Sequence, residues 1–266
     1  MIWTTRPRSD GASSLAYWTQ GGGPALVLIH GVGLRAEAWA AMMPALAAHF
    51  TVYALDMPGH GFSPRAGETD LGDYTARAGA FIDALQEPVC VVGHSMGAMI
   101  ALALGAEKPQ KISGIAAISA IYKRSPDAAQ AVQARVKALQ KVDAPDPTAT
   151  LERWFGKAPQ GDRKQAAETC RAWLSNADPA GYAAAYSVFA HYDGPCDHDL
   201  RNLTCPALFL TGGQDPNSTA EMSEEMATRC PQGRGVVLED AAHMLPMTHP
   251  NAAVDAILST FKTSAP

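Results

Sequence analysis

Val89-Cys90-Val91-Val92-Gly93-His94-Ser95-Met96-Gly97-Ala98-Met99-Ile100-Ala101-Leu102 changes character at its centre. The opening four residues form a short apolar, valine-rich run that suits a buried strand, and from Ala98 onward small and unbranched side chains favour a helix. Between them stands Gly93-His94-Ser95-Met96-Gly97, a G-x-S-x-G pattern. A serine held on so sharp a strand-to-helix turn needs almost side-chain-free neighbours two residues away on either side, and Gly93 and Gly97 supply them. The turn exposes the Ser95 hydroxyl. The unpaired N–H groups and positive dipole end of the following helix then face the place where negative charge would develop on an attacked carbonyl, with the Met96 N–H as one expected donor.

Outward from this stretch, short apolar runs closed by Gly, Pro or Asp recur at residues 25–30, 51–56, 112–119, 207–211 and 235–239. Helix-length patterns separate most of them, at residues 36–50, 73–86, 96–108, 219–229 and 251–261. Such alternation predicts an α/β fold, a parallel sheet with helices on both faces. Residues 1–5 and 15–20, before the turn Gly21-Gly22-Gly23-Pro24, are expected to add antiparallel edge strands. The alternation stops over residues 122–202, too long a connection to be unstructured in a compact domain. Helical spacing at 128–140, 148–155, 163–174 and 179–189 predicts an inserted helical cap. The expected organisation is a core in two parts, residues 1–121 and 203–266, around a cap at 122–202. The cap carries Trp154, Phe155, Trp173, Tyr182, Tyr186, Phe189 and Tyr192, aromatics that either line a pocket or pack the cap onto the sheet.

A serine hydroxyl is a poor nucleophile at neutral pH and needs a base. His243, in Ala241-Ala242-His243-Met244 after the run at 235–239, falls on a loop at the carboxyl edge of the sheet. Asp215, in Thr211-Gly212-Gly213-Gln214-Asp215-Pro216, follows the run at 207–211 at the same edge and is the expected acid. A carboxylate bonded to one imidazole nitrogen fixes the tautomer that leaves the other free to take the serine proton. Asp193, Asp197, Asp199 and Asp240 are competing carboxylates, and the first three, with His191 and His198, lack diagnostic metal-ligand spacing. His30-Gly31-Val32-Gly33 follows the run at 25–30 and can offer the Val32 N–H as a second oxyanion donor. His30 and the cap aromatics Trp154, Tyr186 and Phe189 are candidate substrate-contacting side chains. Lys123 and Arg124, at the cap hinge, meet either an acidic substrate group or solvent.

With the order Ser95, Asp215, His243, and with Asp56-Met57-Pro58-Gly59-His60-Gly61-Phe62-Ser63 as a D-x-x-G-H-G-x-S turn, the chain resembles the α/β-hydrolase superfamily from about residue 25 to 261. The resemblance implies a mostly parallel eight-stranded sheet with a helical lid after the sixth strand, at residues 112–119. Relatives with an aspartate nucleophile, the haloalkane dehalogenases and epoxide hydrolases, carry Asp where this chain has Ser95, which points instead to acyl chemistry. The nearest look is to capped carboxylesterases and lactonases, although Ala98 stands where many relatives have another glycine. The expectation is hydrolysis of a small-molecule ester or lactone through an acyl-enzyme on Ser95, with no metal or organic cofactor. Cleavage of an amide or carbon–carbon bond would use the same three residues, and a ligand-binding or sensor protein on the same scaffold is the rival from another class.

Composition agrees with a globular enzyme. The 266 residues are 47% hydrophobic and 18% charged, and 21 Lys+Arg against 26 Asp+Glu give a net charge of −5 without a long basic run. That balance argues against electrostatic nucleic-acid binding. The apolar runs at 25–29 and 112–118 are far shorter than a membrane span needs, and the polar start with Arg6, Pro7 and Arg8 does not read as a signal peptide. A cytoplasmic protein is expected. Cys90, Cys170, Cys196, Cys205 and Cys230 form no CxxC pair and suggest neither a disulfide framework nor a zinc knuckle.

Overall fold

The computed structural model describes residues 14–65, 67–139 and 146–262. Seven strands form one sheet: β1 (Tyr17–Gln20), β2 (Ala25–Ile29), β3 (Thr51–Leu55), β4 (Val89–His94), β5 (Ile112–Ile118), β6 (Ala207–Gly212) and β7 (Gly233–Leu238). Their spatial order is β1-β3-β2-β4-β5-β6-β7; β1 runs antiparallel to β3 and every other pair is parallel. The expected sheet of eight strands is therefore one of seven among the described residues, because the run at 1–5 lies outside them. The chain leaves β2 toward β3 on one side and returns to β4 on the other, so a crevice opens at the carboxyl ends of β2 and β4.

Helices cover both faces. Between the strands lie α1 (Met43–Ala47), α2 (Leu71–Asp83), α3 (Met96–Glu107) and α9 (Ala220–Arg229), and after β7 come α10 (Leu245–Thr248) and α11 (Pro250–Lys262). One core layer packs α2 and α3 onto the sheet through Val27, Ile29, Val91, Met99, Ile115 and Phe209, and the other packs the opposite face through Leu26, Leu28, Trp39, Ile257 and Phe261. The helix expected over residues 36–50 is divided into a single 3₁₀ turn, Ala36–Trp39, and α1. Pro44 is the cause: it has no N–H to donate to the preceding turn, so it is tolerated only where a new helix starts, at the first turn of α1.

Among the described residues, five helices lie between β5 and β6: α4 (Pro126–Leu139), α5 (Thr148–Phe155), α6 (Gly161–Ser175), α7 (Pro179–His191) and the short α8 (Asp197–Arg201). Helix α4 packs on α7 and α5 on α6. Tyr182, Ala185 and Val188 of α7 join the same apolar core as the sheet, while Leu151, Phe155, Ala166 and Cys170 join Leu34, Ala38 and Met244 from the loops below. Among the described residues no helix is long and apolar enough to cross a membrane.

The turn from β4 into α3 has no spare volume. A Cβ on Gly93 would lie 2.0 Å from the Gly97 carbonyl oxygen, and one on Gly97 would lie 2.1 Å from the Ile29 carbonyl oxygen at the end of β2. Both obstacles are backbone and neither can rotate away. Gly97→Ala and Gly93→Ala are each expected to lose about 3 kcal/mol or more in urea denaturation, the upper range for forcing extra volume into a packed core. Gly22→Ala, where nothing lies within 4 Å, serves as the control and is expected to be near neutral. Near-wild-type stability of Gly97→Ala would show that the turn can relax.

Candidate active site

Ser95 sits at φ 56°, ψ −119°, a left-handed conformation that costs a β-carbon-bearing residue of order 1 to 3 kcal/mol. It is held there by its N–H donating to the Ile118 carbonyl of β5 (2.9 Å) and by the glycine contacts on either side. Its side chain opens into a cavity of about 380 Å³ between the sheet edge and the inserted helices. Val32, Trp154, Tyr186, Phe189 and His243 line the same cavity.

The loops after β6 and β7 are tied together by their backbones. Gly213 N–H donates to the Leu238 carbonyl and Gln214 N–H to the Ala241 carbonyl, both at 2.9 Å. This brings His243 Nδ1 to 2.7 Å from Asp215 Oδ2, with both side chains buried. The other Asp215 oxygen accepts the N–H groups of Asn217 (2.9 Å) and Ser218 (3.2 Å). Burial by itself would raise the Asp215 pKa, but the facing His243 and these N–H donors outweigh it and hold the carboxyl below its ordinary value. Asp215 is thus an ionised acceptor that fixes the Nδ1–H tautomer of His243 and leaves Nε2 to act. Trp154 stacks over the His243 ring, with centroids 6.1 Å apart and planes 25° from parallel. The competing carboxylates lie elsewhere: Asp193 and Asp240 are exposed, and Asp197 binds Tyr122, Lys123 and Arg229 at the surface. Ser95 Oγ has no hydrogen-bond partner among the described residues, so Ser95 and His243 share the cavity without a bond between them. Serine–histidine bonds commonly tighten only when a substrate is bound.

The loop after β2 is fixed by two neutral histidines from below. Gly33 N–H donates to His60 Nε2 (3.0 Å), whose Nδ1–H reaches the Pro58 carbonyl (3.0 Å). Met57 N–H donates to His30 Nε2 (3.0 Å), whose Nδ1–H reaches the Gly31 carbonyl (2.7 Å). Asp56 completes the interlock, accepting Ala36 N–H (2.8 Å) and Phe62 N–H (2.9 Å) on its two oxygens. Gly61, at φ +56°, leaves room for that carboxylate, since a Cβ there would lie 2.2 Å from its carbon. His30 is accordingly a structural side chain, buried and absent from the cavity wall, and not the substrate contact expected from sequence. The Val32 and Met96 N–H groups donate to nothing among the described residues. Val32 lines the cavity; Met96 opens α3 directly after Ser95, its side chain buried.

With this geometry in view, comparison with known proteins is decisive for the family. The alpha/beta hydrolase family profile matches residues 26–257. The chain belongs to the alpha/beta hydrolase family. Among curated relatives, it is 40% identical to the (E)-2-((N-methylformamido)methylene)succinate hydrolase of Acinetobacter baylyi, over 92% of this chain and 94% of that one. It is 30% identical to a pimeloyl-(acyl-carrier protein) methyl ester esterase of Aromatoleum aromaticum, over 85% and 94% of the two chains. Among solved structures, a malate-bound thermophilic esterase from Thermogutta terrifontis superposes with a TM-score of 0.84 at 25% identity, covering 98% of this chain and 99% of that one.

Among the cavity residues of this alpha/beta hydrolase that escaped the sequence reading are three polar ones on the inserted helices, Arg135, Thr150 and Arg153. The signal was present in α4, where Ala128, Ala131, Val132 and Arg135 form one stripe at helical spacing and all four face the cavity. Arg124 also reaches the wall, but its guanidinium donates to the Tyr192 carbonyl (2.7 Å) and the Phe189 carbonyl (3.0 Å), and Lys123 pairs with Asp197 (2.9 Å). These two hinge cations hold the chain together at the end of α7.

Two measurements follow from the histidines. Burial, then the adjacent His243 ring, push the His94 pKa down to about 3, so its Nε2–H stays a neutral donor to the His243 carbonyl (2.8 Å). Unfolded histidine titrates near ~6.5. Stability present above that pH is therefore lost as pH falls toward 3, by roughly 2 kcal/mol per histidine between pH ~6.5 and ~5. Urea titrations at both pH values should show this slope, and a flatter one in His94→Gln; equal slopes would refute a neutral buried His94. His60→Ala removes the acceptor that fixes Gly33 and is expected to lower kcat about 10-fold or more with little change in KM. An unchanged kcat would show that the loop holds its position without it.

Proposed function

We propose that the protein is a serine hydrolase acting on a carboxylic ester or lactone of a small molecule, with Ser95, His243 and Asp215 as its triad. The observation that carries this reading is the 2.7 Å bond between His243 Nδ1 and the buried Asp215, on the wall of the cavity into which strained Ser95 opens. Ser95 Oγ attacks the substrate carbonyl while His243 Nε2 takes its proton. The oxyanion of the tetrahedral intermediate is held by the Val32 and Met96 N–H groups, each such donor being worth about 3 kcal/mol in a comparable hydrolase. His243 then gives the proton to the leaving oxygen, the alcohol departs, and water activated by the same imidazole cleaves the acyl-enzyme to the acid. Residues 122–202 act as a cap over this chemistry, with Trp154, Tyr186 and Phe189 shaping the substrate.

A second reading, cleavage of an amide-type bond, is favoured by one observation. The 40%-identical relative is named as the hydrolase of a compound with an N-methylformamido group, whereas the 30%-identical relative is named as a methyl ester esterase. The same triad would serve both, the leaving group being an amine instead of an alcohol.

The test is a panel of p-nitrophenyl esters, lactones and N-acyl amides, with Ser95→Ala as control. Ester or lactone turnover is expected to exceed amide turnover, to vanish in Ser95→Ala and to fall about 10⁴-fold in kcat for Asp215→Asn, which leaves the wrong tautomer on His243. Turnover that survives Ser95→Ala would exclude the acyl-enzyme, and a panel dominated by amides would establish the second reading.

A further inference from the structure

Among the described residues, the cavity that holds Ser95 is lined by three arginines, Arg124, Arg135 and Arg153, and by no aspartate or glutamate, although the chain as a whole carries a net charge of −5. Positive charge is thus concentrated where a small molecule would enter. Arg124 is engaged by backbone carbonyls and by Asp193. Arg135 and Arg153 are not. Both direct Nη2 to the same Thr150 hydroxyl, at 2.5 Å and 3.3 Å, and among the described residues neither has a carboxylate within ion-pair distance. Arg135 Nε is buried with no hydrogen-bond partner among the described residues, while its guanidinium also lies 5.4 Å from the centre of the Tyr186 ring. Burial, followed by the neighbouring charge of Arg135, disfavours the charged form of Arg153, yet guanidinium stays protonated in proteins.

Two half-buried like charges beside one hydroxyl repel each other, a cost that an anion joining them would relieve. A buried orphan N–H on one of them carries a further cost. Planar guanidinium forks match a carboxylate, which can accept from both at once. We propose that Arg135 and Arg153, joined through Thr150, form a carboxylate-binding pole of the Ser95 cavity, so that the substrate is a small acyl compound bearing a free carboxylate distant from its scissile carbonyl. This identification of substrate class rests on the hydrolase reading of Ser95. The charged pole anchors one end of the substrate while Ser95 and the Val32 amide meet the other, and a cavity of about 380 Å³ keeps both ends within one small molecule.

The test separates binding from turnover. Ser95→Ala protein is titrated calorimetrically with the monomethyl esters of succinate, glutarate and adipate and with the neutral monoamide of each. At least one acid is expected to bind 10-fold or more tightly than its amide. Adding Arg135→Gln or Arg153→Gln should reduce that ratio at least 10-fold, Arg153→Lys should keep part of it, and Lys164→Gln, on the exposed face of α6, should leave it intact. Circular dichroism of each variant checks that a lost ratio is not lost folding. No acid preference in any of the three pairs, or a preference that survives both glutamine variants in folded protein, would overturn the proposal. Stronger binding of inorganic phosphate than of all three acids would overturn the carboxylate assignment. The same pairs are then offered to protein with Ser95 intact: acid-selective binding without turnover of any ester would sink the ester reading while leaving the anion pole standing.

Discussion

The approach of α3 to the end of β2 is the constraint on which the rest depends. Gly97 lies so close to the Ile29 carbonyl that a single methyl group would collide with backbone, and Gly93 is pressed equally hard against Gly97. Only because the helix starts this near to its neighbouring strand is Ser95 driven to positive φ and its hydroxyl turned into the cavity. The same approach puts Gly31 against Ser95, where a Cβ would meet the Ser95 Cβ at 2.9 Å, and thereby sets the loop bearing Val32 beside the helix terminus bearing Met96. Folding free energy from two apolar layers holds this local strain in place, as strained functional residues generally require.

Around that elbow, histidines do two kinds of work. His243 is oriented by an ionised partner that bonds its Nδ1. His30 and His60 use their rings as rigid two-ended connectors, accepting an N–H at Nε2 and donating Nδ1–H to a carbonyl, while His94 donates Nε2–H to the His243 carbonyl. Burial pushes the pKa of His60 and His94 down, and neutrality is what lets one ring both donate and accept. No cation is thereby placed under His243, where it would oppose a positive charge on that ring.

Much of this was legible in the sequence because backbone geometry leaves residue-specific marks. Ser95, Asp215 and His243 each follow a strand-like run in a loop flanked by small residues, and the parallel alternation brings the carboxyl ends of those strands to one edge. Gly93, Gly97 and Gly61 announce close backbone approach by their lack of a side chain. Ring direction leaves no such mark: His30 adjoins the active loop in sequence, yet its imidazole turns inward to Met57. Arg135 and Arg153 were missed for a related reason. A cation on an amphipathic helix ordinarily faces solvent, and only the packing of α4 against α7, with α5 beside the cavity, turns these two inward. The break in the expected helix at 36–50 was within reach, since Pro44 stands in the sequence.

The most direct measurement is a crystal structure of the protein after reaction with a small alkyl phosphonate, whose tetrahedral phosphorus mimics the acyl intermediate. The expected result is phosphorus bonded to Ser95 Oγ, one phosphonyl oxygen about 3 Å from both the Val32 and Met96 nitrogens, and His243 Nε2 turned to the leaving-group side. Phosphorus on any other side chain, or on Ser95 with its oxygen directed away from both amides, would contradict the assignment of this turn as the nucleophile and its anion cradle.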